Sequence, residues 1–498
     1  MLFLSIIPIL LFIILIFFGK LKLFWISLIS LFVTIILVVL VWQIQPVFIL
    51  NSFLKGTFIS FDILLIIFGA IFFLEILRNT KIIESICLYL AKISPDYRIQ
   101  IILLAWFLEN FLEGTAGFGT PSTVVAPLLI GIGLSPILAV SVAMLGNSTA
   151  GAFGAAGTPI RVGFAGLNIV NVPLYASLFN LVGLIVPVFI LWLSTFGQKD
   201  RKTHFLEAIP FAIFSGIAFV VPSVFLTFLG QEFPSIIGSV VGFLIVLIAI
   251  KLKIFTPRQI RTLHQESLKT EKISPLKVFF PYLLFIFLLI VGKFCFSNLN
   301  FTLNFGLKHT FNLFNPGLIF ILATIPTIIL YEKNKKNNFK TIKESFVKAI
   351  EPFLVIATIS VMVQLMIYSN QNISGNYSIL QIIANNLKTP FLPFMAPIIG
   401  AFGSFLTGSV TISNIMFGSI LQNISLAMGF NTALILSLQL VGGAAGNMIA
   451  LADILPALVV VNLKGKERDV IKRVIIPCII YVFLVGIIGL LFLTKYVF

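Results

Sequence analysis

The sequence predicts an all-α polytopic membrane protein of two inverted-topology repeats, with re-entrant hairpins, broken helices and about 10–13 transmembrane segments. Three observations lead there. Hydrophobic residues make up 59% of the 498-residue chain and charged residues only 10%. Apolar runs near ~20 residues, the length a helix needs to cross the hydrocarbon core, recur from end to end. Two longer apolar regions are punctuated by Gly, Pro, Ser, Thr and Asn at related places. Backbone groups left unpaired in lipid are costly, so the spans are helical and the punctuated stretches border a cavity or a protein core.

The charge pattern orients the spans. The net charge of +16 does not point to nucleic acid, because 27 of the 33 Lys and Arg fall in six short loops. These are Lys20–Lys22, Arg78–Arg98, Lys199–Lys202, Lys251–Lys277, Lys333–Lys348 and Lys464–Arg473. The positive-inside rule places all six in the cytoplasm. Spans at 2–18, 21–42, 58–77, 173–196, 207–230, 234–250, 278–296, 314–331, 344–369 and 474–494 then put both termini outside, in a bacterial inner membrane. Met1–Phe18 lacks a basic n-region and a cleavage site, so it reads as a retained span. Cys87, Cys295 and Cys478 are scattered, which implies neither a disulfide framework nor a metal site.

Residues 98–168 and 391–461 do not fit simple spans. Phe111-Leu112-Glu113-Gly114-Thr115 resembles Phe405-Leu406-Thr407-Gly408-Ser409, and the glycine-rich Gly146–Gly157 and Gly442–Asn447 follow at similar distances. Each region follows a short amphipathic segment, Lys81–Lys92 and Ser378–Lys388. By the charge pattern the first region is approached from inside and the second from outside, so the copies run in opposite directions. Repeat one covers 1–200, with a hairpin at 98–131 (tip Gly114–Thr120) and a span at 135–168 broken at Asn147–Gly157. A connecting helix pair and loop occupy 201–277. Repeat two covers 278–498, with a hairpin at 391–428 (tip Gly408–Asn414) and a span at 431–461 broken at Gly442–Asn447. Inverted repeats with interrupted helices meeting at the midplane are a secondary-transporter layout.

Helix breaks free N–H groups that carry partial positive charge and bind carboxylates without a basic side chain. Thr120-Pro121 and Thr158-Pro159 read as N-caps followed by Pro at the first helical position. Ser413 or Asn414 is the expected cap in repeat two. Gly114, Gly117 and Gly119 permit unusual backbone angles and close approach to a ligand. Thr115, Thr120, Asn147, Ser148, Thr149, Thr158, Thr407, Ser409, Thr411, Ser413, Asn414 and Asn447 supply hydroxyls and amides for a carboxylate and a 2-hydroxyl. Close packing of membrane helices explains any single small residue equally well; the paired clustering favours a site.

Ionisable groups at membrane depth are costly and mark function. Glu113, beside the first tip, is the leading proton carrier, and Glu109 one turn earlier is placed to share a coupled titration. Capping of the tip backbone is the alternative for Glu113. Arg161 suits a bidentate grip on carboxylate; pairing with Glu109 or Glu113, and snorkelling to water, are its other roles. Asp453 is a proton or cation carrier or the cap of a half-helix. Asp62 and Glu75 fall near the ends of the 58–77 span, and His204, His264 and His309 in surface loops.

At these residues the chain resembles the L-lactate permease family. The resemblance is carried by Ser94-Pro95-Asp96-Tyr97-Arg98-Ile99-Gln100, Ala105-Trp106, Phe111 to Pro121, Ala152 to Pro159, Gly400 to Phe405 and Ala444 to Ala450, with weaker similarity over most of the chain. Asn110, Arg161 and Ala452-Asp453 depart from the family pattern. The resemblance implies import of lactate, often glycolate, with protons, and the paired breaks with few intramembrane carboxyls point to symport by alternating access. Its partners are then a small organic anion, protons and the bilayer, with no cofactor, and assembly of identical copies is compatible with it. A sodium-coupled or differently selective organic-anion carrier of the same fold is the alternative. No GxxxxGK[ST] is present, so ATP-driven transport would require a separate subunit. With 17 acidic residues, mostly isolated, and three histidines, the chain shows no catalytic or metal-binding set and is not expected to be an enzyme.

Overall fold

The computed structural model describes residues 1–18, 21–117, 119–167, 169–263, 274–304, 308–331 and 335–494. Among these, eleven helices are long and apolar enough to cross a membrane. The chain opens with α1 (Leu2–Phe18), α2 (Leu23–Leu40), α3 (Pro46–Asn79) and the short α4 (Ile82–Ala91). A hairpin follows. Its outgoing arm joins α5 (Tyr97–Ile102) through a π-helical turn (Leu103–Leu108) to α6 (Glu109–Thr115), and its returning arm is α7 (Thr120–Ile132). Next come α8 (Pro136–Ala150), a 3₁₀ turn (Gly151–Phe153) and α9 (Gly154–Arg161), then α10 (Val172–Phe179) and α11 (Val186–Ser194) joined by a 3₁₀ stretch.

The connector is α12 (Arg201–Leu226) and α13 (Pro234–Lys251). Repeat two holds α14 (Pro275–Phe296), α15 (Pro316–Tyr331), α16 (Lys335–Tyr368) and short α17 (Ile379–Asn386). Its hairpin is α18 (Leu392–Thr407) and α19 (Val410–Met428). Then follow α20 (Thr432–Gly446), a 3₁₀ turn (Asn447–Ile449), α21 (Leu451–Val460) and α22 (Glu467–Thr494). The order of elements in the first half therefore recurs in the second, down to the left-handed glycines, Gly133 and Gly429, that end both returning arms.

The copies are inverted. Helices α3 and α16, equivalent by position and each of 34 residues, pack antiparallel. Phe48 meets Tyr368 at 6.5 Å between ring centroids, Phe61 meets Phe353 at 5.4 Å and Phe68 meets Phe346 at 6.0 Å. The amide of Asn79 reaches Thr341 Oγ1 at 3.0 Å near the other end. Gly56 sits against the backbone of Val361, where any Cβ would collide, so this crossing needs glycine.

Several boundaries differ from expectation. α3 begins at Pro46, not 58, which puts Asp62 mid-helix; α16 and α22 also start early, at Lys335 and Glu467. Polar residues at these starts extend the helices past their apolar stretches. A two-stranded antiparallel ribbon, β1 (Asn300–Asn304) and β2 (Lys308–Asn312), and an isolated antiparallel bridge between Ile44 and Asn372 depart from all-α. His309 lies in that ribbon, and His264 falls outside the described residues. His204 is no surface loop residue: it is buried in the first turn of α12, its Nδ1 3.2 Å from Tyr97 Oη.

Candidate functional site

Both tips and both breaks meet. The shared cavity is lined by Glu113 and Gly117 of hairpin one, by Gly151, Gly154, Ala155, Thr158 and Pro159 of the first break, by Gly408 to Thr411 of hairpin two, and by Asn447 of the second break. It measures about 20 Å³, room for a water molecule.

Local conformation explains the convergence. Tip one is held open by two left-handed glycines, Gly117 (φ 59°) and Gly119 (φ 68°). Gly119 is the residue preceding α7, so Thr120 and Pro121 occupy its first two positions. Thr120 is therefore not the expected cap; its hydroxyl donates to Gly117 O at 2.8 Å. The first break is a run of left-handed residues, Ala155, Ala156 and Gly157, after which helix resumes. Thr158 donates to Ala155 O at 2.5 Å instead of capping. In repeat two the cap is Ser409, whose Oγ accepts from Ile412 N at 3.3 Å, and neither Ser413 nor Asn414. Tip two is thus only Gly408 and Ser409, shorter than the expected Gly408–Asn414.

The second break lies later than Gly442–Asn447, because α20 stays helical to Gly446. Gly442 and Gly446 abut the backbone of Pro397 and Ala401 on α18, so these glycines serve helix packing. Gly114 does likewise: a Cβ there would strike Ile236 and Ser235 of α13.

The carboxyls flank tip one. Glu109 and Glu113 lie one turn apart on α6, and a Cβ on Gly154 would meet Glu113 Oε1. Asp453, in the first turn of α21, stands against Gly119 from the other repeat. All three are buried, and Glu109 Oε2, Glu113 Oε2 and Asp453 Oδ2 lack hydrogen-bond partners among the described residues. Ser122 donates to Glu109 Oε1 at 2.8 Å. Buried orphan oxygens are rare and costly. The side-chain atoms of Asn147 and Oδ1 of Asn414 and of Asn447 are orphaned as well. No cluster of three His, Cys, Asp or Glu able to hold a metal occurs among the described residues.

Other candidates are engaged elsewhere. Thr115 bonds back to Phe111 O and Leu112 O, Ser148 to Leu145 O, Thr407 to Gly403 O, and Ser413 to Gly400 O. Thr149 stacks on Gly183, and its carbonyl accepts from Asn180, which also accepts from Tyr481. Asn414 donates to Pro159 O at 3.0 Å, tying hairpin two to the first broken helix. Arg161 does not border the cavity; it donates to Phe314 O at 2.6 Å and lies over the Phe314 ring. Sequence reasoning passed over Gly151, Gly154 and Ala155, although they sit within the glycine run that marked the first break.

Against this geometry the comparisons with known proteins are specific. The sequence profile described as L-lactate permease matches residues 2–305 and 297–498. This chain belongs to the L-lactate permease family. It is 30% identical over 479 residues to a protein of Haemophilus influenzae named putative L-lactate permease, covering 86% of each chain. It is 27% identical to the L-lactate permease of Bacillus subtilis, covering 87% of this chain and 84% of that one. The glycolate permease GlcA of Escherichia coli K12 is 25% identical, again with 87% and 84% covered. Among solved structures, the YdaH transporter of Alcanivorax borkumensis aligns with a TM-score of 0.46 at 11% identity, covering 86% and 85%. The family and the eleven apolar helices make this a multi-pass membrane protein.

Proposed function

We propose that the chain imports L-lactate or a related small 2-hydroxy-monocarboxylate such as glycolate, together with protons, across the bacterial inner membrane by alternating access. One observation carries the reading: two tips and two breaks from inverted repeats border one cavity that also holds a buried carboxyl. The lining backbone at Ser409, Val410 and Thr411 is the amino end of α19, and Thr158 and Pro159 begin the regular part of α9. Amino ends of helices attract a carboxylate through free N–H groups and their dipoles. Thr158, Ser409, Thr411 and Asn447 supply hydroxyl and amide groups for the 2-hydroxyl. Glu113, at the cavity wall, carries the proton, with Glu109 behind it and Asp453 beside it. A water-sized cavity is too small for a three-carbon acid, so loading requires the hairpins to part from the breaks. Such motion is what alternating access supplies.

The test is uptake by proteoliposomes. An inward proton gradient drives accumulation of labelled lactate or glycolate in the parent protein, and Glu113→Gln abolishes that accumulation while keeping exchange of labelled for unlabelled acid. Absence of accumulation with any small 2-hydroxy acid rejects the substrate class. Dependence on a sodium gradient, with none on protons, rejects the coupling scheme.

A further inference from the structure

A second cavity adjoins the central one, with lining residues in contact across the two. It measures about 710 Å³ and is walled by Ile67, Ile71 and Leu74 of α3, by Pro352 of α16, by Thr120 and Thr123 of α7, and by the α21 face from Ala452 to Val460. Only a thin wall divides it from the first. Gly119 abuts Asp453, and Gly408 abuts the Ala452 side chain. Thr120 and Ala452 border the large cavity, whereas Gly117 and Gly408 border the small one. Tip one, tip two and the first turn of α21 thus form the partition between the two cavities.

The rim of the large cavity is charged. Lys348 Nζ lies 2.8 Å from Glu75 Oε1, and Arg78 Nη1 lies 3.8 Å from the same oxygen. Arg78 Nη2 also donates to Thr123 Oγ1 at 2.7 Å, on the returning arm of hairpin one. Glu75, Arg78 and Lys348 are the charged residues of the lining, two cations to one anion. A low-dielectric cleft with an excess of one charge sign focuses its field and concentrates ions of the opposite sign. Arg78 and Lys348 belong to two of the six basic segments that the positive-inside rule assigns to the cytoplasm.

We propose that this cavity is the route by which small organic anions pass between the cytoplasm and the central cavity, with Arg78 and Lys348 as the residues that select negative solutes at its mouth. Glu75 positions both cations. The Arg78–Thr123 bond ties the mouth to the hairpin whose tip forms the partition, so movement of that hairpin breaks the bond as the partition opens. The inference rests on the transport reading, but its test reads access and not uptake.

Leu455, on the α21 wall, is 45% exposed. Leu455→Cys is introduced with Cys87, Cys295 and Cys478 replaced by Ser, and folding is checked by monodisperse elution. Membrane-impermeant anionic and cationic thiosulfonates of similar size are applied to inside-out and right-side-out vesicles. The expected result is labelling from the cytoplasmic face, with the anionic reagent favoured about tenfold. That preference falls to near parity in Arg78→Gln with Lys348→Gln and returns in Arg78→Lys. Lys348 is half-exposed, so Lys348→Gln alone keeps the fold and shows a partial loss. Labelling at equal anionic and cationic rates in parent and variants overturns the selective role of the cations. Labelling only from the opposite face, or none, overturns the route. Failure of proton-driven uptake alongside charge-selective labelling rejects the transport reading and leaves the anion vestibule standing.

Discussion

The two hairpins share one layout and differ in chemistry. Hairpin one carries Glu109 and Glu113, a π-helical turn and a tip opened by two left-handed glycines. Hairpin two carries one hydroxyl, Ser409, on a tip of two residues, with Thr411 and Asn414 following in α19, and Thr407 stands where the matched segment has Glu113. Their bases differ as much as their tips. Asp96 caps the first arm, accepting from Arg98 N at 2.9 Å, and grips the Arg98 guanidinium at 2.7 Å. Fully buried Arg98 also donates to Glu207, to His204 O and to Gln259 O, which moors the arm to α12 and to the loop after α13. The second arm starts at Phe391 with no side-chain cap, and only the exposed Thr389 hydroxyl receives its N–H. Equal topology therefore leaves one arm fastened by charge at its base and ionisable, the other uncapped there and neutral.

The largest effect falls on the mooring. Arg98→Met strands Asp96 and Glu207 and costs about 3 kcal/mol, read as a clearly lower thermal midpoint in detergent; Thr389→Ala at the other base costs less than ~1 kcal/mol. Equal losses would erase the asymmetry. Next come the tip and cap glycines. Gly119→Ala meets both a left-handed backbone and the Asp453 carboxyl, whereas Gly429→Ala, at φ 72°, faces open space. The second change costs roughly 1 kcal/mol of strain and leaves exchange near the parent rate, while the first reduces exchange at least about tenfold, as a penalty above ~1.4 kcal/mol would.

Thr411→Val, at a hydroxyl residue that lines the cavity, sharpens the division of roles. It raises the half-saturation concentration of exchange by a factor of about five, the worth of one hydrogen bond, and leaves the pH dependence of uptake unmoved. Glu113→Gln instead flattens that dependence. The smallest effect compares two serines: Ser122→Ala removes the donor to Glu109 and alters the pH profile of uptake, and Ser413→Ala removes a bond to Gly400 O without altering it. Each costs about 1 kcal/mol in a melting curve.

What could be read from sequence follows the same division. Tip one was legible because Gly, Thr and Pro in close succession leave a membrane helix little alternative. The second break was misplaced because glycine has two uses in lipid. Gly442 and Gly446 let α20 approach α18, and only the 3₁₀ turn from Asn447 interrupts the span. Caps slipped by one or more residues since Thr120 and Thr158 donate to carbonyls behind them. Arg161 looked like an anion ligand from its place after the break, yet its side chain turns to α15 and Phe314. The Arg98 mooring could not be seen, because its partners beyond Asp96 lie over a hundred residues away and share no spacing rule.

The antiparallel pair α3 and α16 has a mechanical consequence. At 34 residues each, these helices extend roughly 51 Å at 1.5 Å per residue, against about 30 Å of hydrocarbon. Such rods lean, or raise their polar ends clear of the lipid, and the angle follows bilayer thickness. Shorter or longer acyl chains therefore tip the pair like a gate-post in shifting ground, and turnover peaks at one lipid length.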